Sequence, residues 1–277
     1  MPVSRRASAA NTASISKRMS SDQRTLIVTG ASSGIGEAVA REAALRNFRV
    51  LLVARRADRL EQLRGEIIAG GGTAVALTGD VTAATMPATI VETALRSFGR
   101  LDIVVNNAGR GAYGPLLEQS DDAIEAQLRL NLVAPLRLAR AALPLLEATR
   151  GQLVFLGSGI ARVPLPNYGA YAPAKAAIRA AAIELRRELR DRCIAVTYVD
   201  PGLVATEFHR ASGIARDQHI PAASPQRVAR AILRGIERRR AVVNAVPWQT
   251  LGTTIGEWFG TLSDPVIVAR LGAKEEA

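Results

Sequence analysis

Runs of apolar and β-branched residues recur along the chain at 25–29, 48–54, 73–78, 101–105, 152–156 and 194–199, with a last one near 241–244. Segments with apolar residues at helical spacing separate them, at about 34–46, 57–69, 84–98, 121–149, 168–191 and 225–239. Strands that read as continuous apolar runs are buried on both faces, and their alternation with helices predicts a parallel sheet between two helical layers. Right-handed crossovers make this an α/β, doubly wound sheet of about seven strands that binds ligands at the carboxyl ends of its strands. No internal repeat competes with that pattern.

Three stretches fall outside it. Residues 1–22 are rich in Ser, Ala and Arg, lack apolar periodicity and have no acid before Asp22, so a disordered extension with transit-peptide composition is expected, or a start at Met19. Residues 23–245 form the single expected domain. Within it, 207–224 carries Gly213, Pro221 and both histidines, His209 and His219, and reads as a lid over a pocket with its histidines facing solvent. The tail 246–277 holds Trp248, Trp258, Phe259 and the run Val266-Ile267-Val268. It is expected to pack on the pocket or in an oligomer, with weak contact to a membrane surface as the third placement.

Composition narrows the chemistry. At 277 residues and 48% hydrophobic, the chain can bury one sizeable core. No apolar run reaches the ~18 residues of a membrane span. One cysteine, Cys193, excludes an internal disulfide and gives no sign of an oxidising compartment, so a cytoplasmic location is expected. Two histidines with no Cys/His cluster leave no expected metal site. The net charge of +11 comes from arginines scattered among apolar residues, and with 4% aromatics there is no base-stacking platform, so it reads as a solvated surface rather than a nucleic-acid site. Lysine is scarce, which singles out Lys175 among Lys17, Lys175 and Lys274.

The first strand leads into Thr29-Gly30-Ala31-Ser32-Ser33-Gly34-Ile35-Gly36 and then a helix. Glycines there remove the Cβ atoms that would hold a ligand away, and the unpaired N–H groups of the helix start favour an anion, which makes the turn a phosphate cradle. The second strand ends at Arg55, where a dinucleotide fold reads the ribose; a cation rather than an acid suits the 2′-phosphate of NADP over the hydroxyl of NAD. Asp80-Val81 and Asn106-Asn107-Ala108-Gly109 follow the third and fourth strands to the same edge. Small residues admit a flat ring, and asparagine can lock loop backbone. Tyr171 and Lys175 lie four apart, on one face of a helix, where a nearby ammonium would lower the phenol pKa and make Tyr171 a general acid or base. Pro173 between them fits only in a first helical turn.

Taken in order from about 25 to 206, these stretches resemble the short-chain dehydrogenase/reductase family, with its Rossmann-like fold. The glycine motif, Asn106 to Gly109 and Tyr171 to Lys175 carry the likeness. The resemblance implies a catalytic serine thirteen residues before the tyrosine, matched by Ser158, a helix asparagine matched by Asn131, and the segment Pro201-Gly202-Leu203-Val204-Ala205-Thr206 facing the nicotinamide carboxamide. It also implies Lys175 on the nicotinamide ribose, Asn131 ordering a water, and a homodimer or homotetramer built through 121–149 and 168–191. Members often have two adjacent serines where this chain has Gly157-Ser158-Gly159, which is expected to loosen the loop. The expected activity is NADP(H)-dependent carbonyl reduction or alcohol oxidation, with catalytic Asn131, Ser158, Tyr171 and Lys175. The expected cofactor residues are Gly30, Ser32, Ser33, Gly34, Ile35, Gly36, Arg55, Asp80, Val81, Asn107, Ala108, Gly109, Pro201, Gly202, Val204 and Thr206, with Tyr171 and Lys175. A non-catalytic NADP sensor or scaffold is the alternative, and has no need of the proton-transfer groups.

Overall fold

Seven parallel strands hydrogen-bond in the order β3-β2-β1-β4-β5-β6-β7. They are β1 (Thr25–Thr29), β2 (Arg49–Ala54), β3 (Thr73–Thr78), β4 (Ile103–Asn106), β5 (Gln152–Leu156), β6 (Ala195–Asp200) and β7 (Val242–Asn244). The computed structural model describes residues 23–208, Ser212 and 221–265. The expectations for 1–22, for His209 and His219, and for Val266-Ile267-Val268 lie outside the described residues.

Alternation across the pleat sends side chains to two cores. Leu26, Val28, Val50 and Leu52 meet one helical layer, α1 (Gly34–Leu45), α2 (Ala57–Ala69) and α7 (Pro225–Glu237). Ile27, Leu51, Val53 and Val104 meet the other, α3 (Met86–Phe98), α5 (Ala134–Thr149) and α6 (Tyr171–Glu188). With β1, β2, β4 and β5 buried throughout, their sequences could only read as unbroken apolar runs. Edge strand β3 is partly exposed.

The structure departs from the expected helices in three places, each with a local cause. The single helix expected at 121–149 is α4 (Asp121–Leu128), a π-helical turn over Arg129–Val133, and α5. Pro135 has no N–H for the Asn131 carbonyl four residues back, and the Asn131 side chain returns 3.0 Å to the Gln127 carbonyl. Helix α6 begins at Tyr171 rather than 168, so Pro173 sits in the first turn, where a missing N–H costs nothing. The tail contains a helix, α8 (Pro247–Phe259), and a 3₁₀ turn, Gly260–Ser263. Its glycines and threonines have low helix propensity, so contacts set it rather than sequence preference. No helix among the described residues is long and apolar enough to cross a membrane.

Phe155 at the middle of the sheet is fully buried. Phe155→Ala is expected to lose about 3–5 kcal/mol of stability, measured as a drop in the urea midpoint.

Candidate functional site

Strand β1 has β2 on one side and β4 on the other, so the loops leaving β1 and β4 flank a topological switch point. The register pairing Val28 with Val105 sets the glycine turn beside Asn107. Two side chains tie the loops together. Thr29 Oγ1 accepts from the N–H groups of Asn107 (3.0 Å) and Ala108 (3.1 Å), and Asn107 Nδ2 donates to the carbonyls of Thr29 (2.9 Å) and Gly30 (3.3 Å). A Cβ on Gly36 would lie 2.3 Å from the Gly30 oxygen, and Gly30 itself has φ +67° with Ala108 Cα 2.9 Å from where its Cβ would be. Gly34 faces Thr206 across the crevice. The Ser33 side chain does not cap α1, so the helix start keeps its N–H groups for a ligand.

One cavity of about 1770 Å³ runs along this edge. Gly30, Ser32, Ser33, Gly34, Ile35, Arg55, Asp80, Val81, Asn107, Ala108, Gly109, Pro201, Gly202, Val204 and Thr206 line it, together with Ser158, Tyr171 and Lys175. Two expected residues stand behind the wall: Gly36, against the Gly30 carbonyl, and Asn131, in the π-helical turn.

The cationic end differs from the simple expectation. Arg55 lies 3.9 Å from Asp80 with most of its side chain in solvent. The neighbouring Arg56, which the sequence reading passed over, donates to Ser32 Oγ (3.1 Å) and Ser33 Oγ (2.6 Å) and pairs with Glu207 (3.2 Å). Arg59 shares Glu207 at 3.1 Å, and hydrogen bonds from Arg59 and Arg56 hold that carboxyl below its usual range. Burial pushes the Asp80 carboxyl up, but the Thr82 N–H and hydroxyl (2.9 and 2.7 Å) and the Arg55 charge bring it below normal.

At the other end, Ser158 follows β5 and accepts from the Ile160 N–H at 3.4 Å. Tyr171 is the first residue of α6 and Lys175 lies one turn on. Burial raises the Tyr171 pKa above its ordinary value, against the opposing effect of a hydrogen bond with Ser158. Burial lowers Lys175 to about 8. The expected depression of Tyr171 by Lys175 is not met in the chain alone. Lys175 Nζ donates 2.8 Å to the Leu156 carbonyl and lies 5.6 Å from the tyrosine ring centroid. Asn131 Nδ2 donates to the carbonyls of Arg110 (2.9 Å) and Gln127, while its buried Oδ1 has no partner among the described residues. A Cβ on Gly109 would lie 2.8 Å from that oxygen and 3.6 Å from Lys175 Nζ, so the three groups converge.

Three further residues shape the site. Tyr198 on β6 brackets the catalytic-serine candidate: its hydroxyl accepts from the Ser158 N–H (3.3 Å) and donates to the Ser158 carbonyl (3.4 Å). A Cβ on Gly157 would fall 2.1 Å from the Tyr198 ring, so that glycine makes room rather than loosening the loop. Burial pushes the Tyr198 phenol up to about 12, keeping it a donor. The only signal in sequence was a tyrosine inside an aliphatic strand. Gln249 on α8 accepts from the Leu203 N–H (2.6 Å) and donates to the Pro221 carbonyl (2.9 Å). Glu257 on α8 pairs with Arg162 (3.0 Å) and Arg179 (2.9 Å). No cluster of metal-binding side chains occurs among the described residues.

Residues 24–217 match the family described as short chain dehydrogenase. The chain is 33% identical over 237 residues to 11-beta-hydroxysteroid dehydrogenase-like 3 of Arabidopsis thaliana, covering 82% of this chain and 74% of that protein. It resembles the structure of a short-chain dehydrogenase from Sphingobium yanoikuyae in complex with NADPH, with TM-score 0.74, 31% identity and coverage of 92% and 96%. A Burkholderia phymatum short chain dehydrogenase/reductase in complex with NAD superposes with TM-score 0.79 at 21% identity, covering 86% and 94%, a likeness of fold.

Two outcomes follow from the geometry. Tyr198→Phe keeps the ring and removes both hydrogen bonds to Ser158, so it is expected to lower kcat about tenfold, the value of roughly one net hydrogen bond. In a Ser158→Ala background the same change is expected to cost nothing further, whereas a merely structural tyrosine would cost the same in both. Lys175 is protonated below about pH 8 in the folded chain and up to 10.5 when unfolded, so between pH 8 and 10 the unfolded chain binds more protons. Stability is therefore expected to rise across that window through this group, and Lys175→Met to lose the rise in urea unfolding.

Proposed function

The chain belongs to the short chain dehydrogenase family of nicotinamide-dependent oxidoreductases, and from that premise we propose that it moves hydride between NADP(H) and a carbonyl or secondary alcohol. The observation that carries this reading is one cavity with guanidinium groups at one end and the Ser158–Tyr171 pair at the other. The donor set suits a dinucleotide. Uncapped N–H groups at the start of α1, with the Ser32 and Ser33 hydroxyls, would hold the pyrophosphate. Arg56 and Arg55 would take the 2′-phosphate, Arg56 exchanging Glu207 for it. Asp80 and Val81 would border the adenine, and Asn107, Ala108 and Gly109 would leave space for a flat ring opposite Pro201, Gly202, Val204 and Thr206.

Bound there, the nicotinamide supplies or accepts the hydride. Tyr171 gives its proton to the substrate oxygen as that oxygen gains charge, and takes it back in the oxidative direction. Its raised pKa keeps the phenol protonated at neutral pH, the form that reduction requires. Ser158 donates to the same oxygen and stabilises the developing charge. Lys175 would hold ribose hydroxyls and offer a cation to the phenolate. Asn131 Oδ1, which has no partner among the described residues, would take a water that returns a proton through Lys175. The Arabidopsis relative is named for dehydrogenation of a hydroxyl-bearing compound, the same class of reaction. A sensor that binds NADP without turnover leaves this proton-transfer set without a use. The protein works as a homodimer or homotetramer in this reading, as members of its family often do.

Tyr171→Phe is expected to lower turnover 10²–10⁴-fold with NADPH affinity within about threefold of wild type; an unchanged rate removes Tyr171 from the mechanism. Arg55→Asp and Arg56→Ala are each expected to shift the kcat/KM preference toward NADH by roughly 10- to 100-fold, the value of a charged hydrogen bond to phosphate. Steady-state rates with both cofactors measure it.

A further inference from the structure

Helix α8 and the turn after it carry Trp248, Ile255, Phe259 and Leu262, whose exposures are 53%, 48%, 58% and 76%. Such a row of uncovered large apolar side chains is unusual on a soluble surface. All four line the cavity that holds Ser158 and Tyr171. Spacings of seven and four residues put Trp248, Ile255 and Phe259 along one side of α8, and Leu262 follows in the 3₁₀ turn. From Trp248 to Phe259 that side runs about 16 Å at 1.5 Å per residue.

The element is fixed against the catalytic loop rather than lying loose. A Cβ on Gly159 would meet the Thr253 methyl at 3.2 Å, and one on Gly256 would meet Val163 at 3.0 Å, so α8 rests on the segment that follows Ser158. Glu257 pins the helix to Arg162 and to Arg179 of α6, and Gln249 ties it to Leu203. The Phe208 ring, which also lines the cavity, lies 5.3 Å from that of Tyr171. Apolar side chains thus line the cavity both beside Tyr171 and along α8.

We propose that this stripe is the outer wall of the substrate site. The substrate is a carbonyl or alcohol compound with an extended apolar body of about 16 Å, lying along α8 with its oxygen at Ser158 and Tyr171. This assignment rests on the oxidoreductase reading above. Leu251 and Trp258 lie on the adjoining face, are likewise exposed and do not line the cavity, which makes them internal controls.

The test is NADPH oxidation with straight-chain methyl ketones from butan-2-one to decan-2-one. kcat/KM is expected to climb about fourfold per added methylene until the wall is covered. Ile255→Ser and Phe259→Ser are expected to flatten that climb, while Leu251→Ser and Trp258→Ser keep the wild-type slope. Turnover that stays flat along the series overturns the apolar-wall assignment and leaves the oxidoreductase reading standing. No turnover of any ketone or alcohol with either cofactor overturns the reading instead, and binding then tests the wall alone. The chain has two tryptophans. Decan-2-one added to the NADP⁺-loaded protein is expected to change tryptophan emission in wild type and Trp258→Phe but not in Trp248→Phe. A change carried by Trp258, one that follows protein concentration as a second copy would, or one produced only by phosphatidylglycerol vesicles overturns the proposal.

Discussion

Four hydrogen bonds from two side chains, Thr29 and Asn107, hold the loop after β1 against the loop after β4, and the site depends on that clamp. It fixes the gap at the switch point of the sheet, where two crossovers diverge and leave a crevice. Because the Asn107 amide fills the space behind the turn, Gly30 and Gly36 have no room for a Cβ. The glycines therefore serve the packing of two loops as well as the approach of a ligand. With the turn held, α1 begins at Gly34 and directs its unpaired N–H groups into the cavity.

Electrostatics divides the cavity along its length. The end near β2 and β3 gathers partly exposed guanidiniums whose charges are shared with Glu207 and Asp80. Pairs as exposed as these add little to stability, so an incoming phosphate can exchange with the carboxylates at small cost. The end near β5 and β6 is lined by buried ionisable groups. There burial keeps the Tyr171 and Tyr198 phenols protonated and brings Lys175 down to about 8. The buried Asp200 carboxyl is pushed up by the same desolvation, with Arg162 4.0 Å away opposing it. The groups proposed to move the proton and those proposed to read phosphate thus share one cavity but occupy opposite dielectric settings.

The strands were legible because burial on both faces allows nothing but apolar runs, and their observed ends differ from the expected ones by a residue or two. The turn, the Asn-Asn-Ala-Gly loop and the Tyr171–Lys175 pair were legible because backbone geometry and helix spacing restrict which residues can serve. The π-helical turn at Arg129–Val133 was hidden, since an apolar period continues through it and only Pro135 marks the break. Tyr198 was hidden for a different reason. Its role needs the third dimension, in which β6 lies beside β5 and its ring enters the space that Gly157 vacates. The departure from a double serine and the placement of Ser158 are then one fact, an exchange of side-chain volume between neighbouring strands.

The same distinction separates the reaction from its substrate. The proposed cofactor contacts come from loops at the sheet edge whose hydrogen bonds demand Gly, Asn, Thr and Ser at set positions, so chemistry leaves a motif. The proposed substrate wall comes from α8, where contact is apolar and side chains of similar volume substitute at small cost. Its anchors, Glu257 and Gln249, are set apart from the stripe and pair with residues nearly eighty and about fifty positions away. Among the described residues, the ion pairs and hydrogen bonds that anchor α8 involve none of Thr29, Asn107 or Tyr171. In the proposed reading, backbone geometry fixes where hydride is transferred, and a surface that carries no motif sets what receives it.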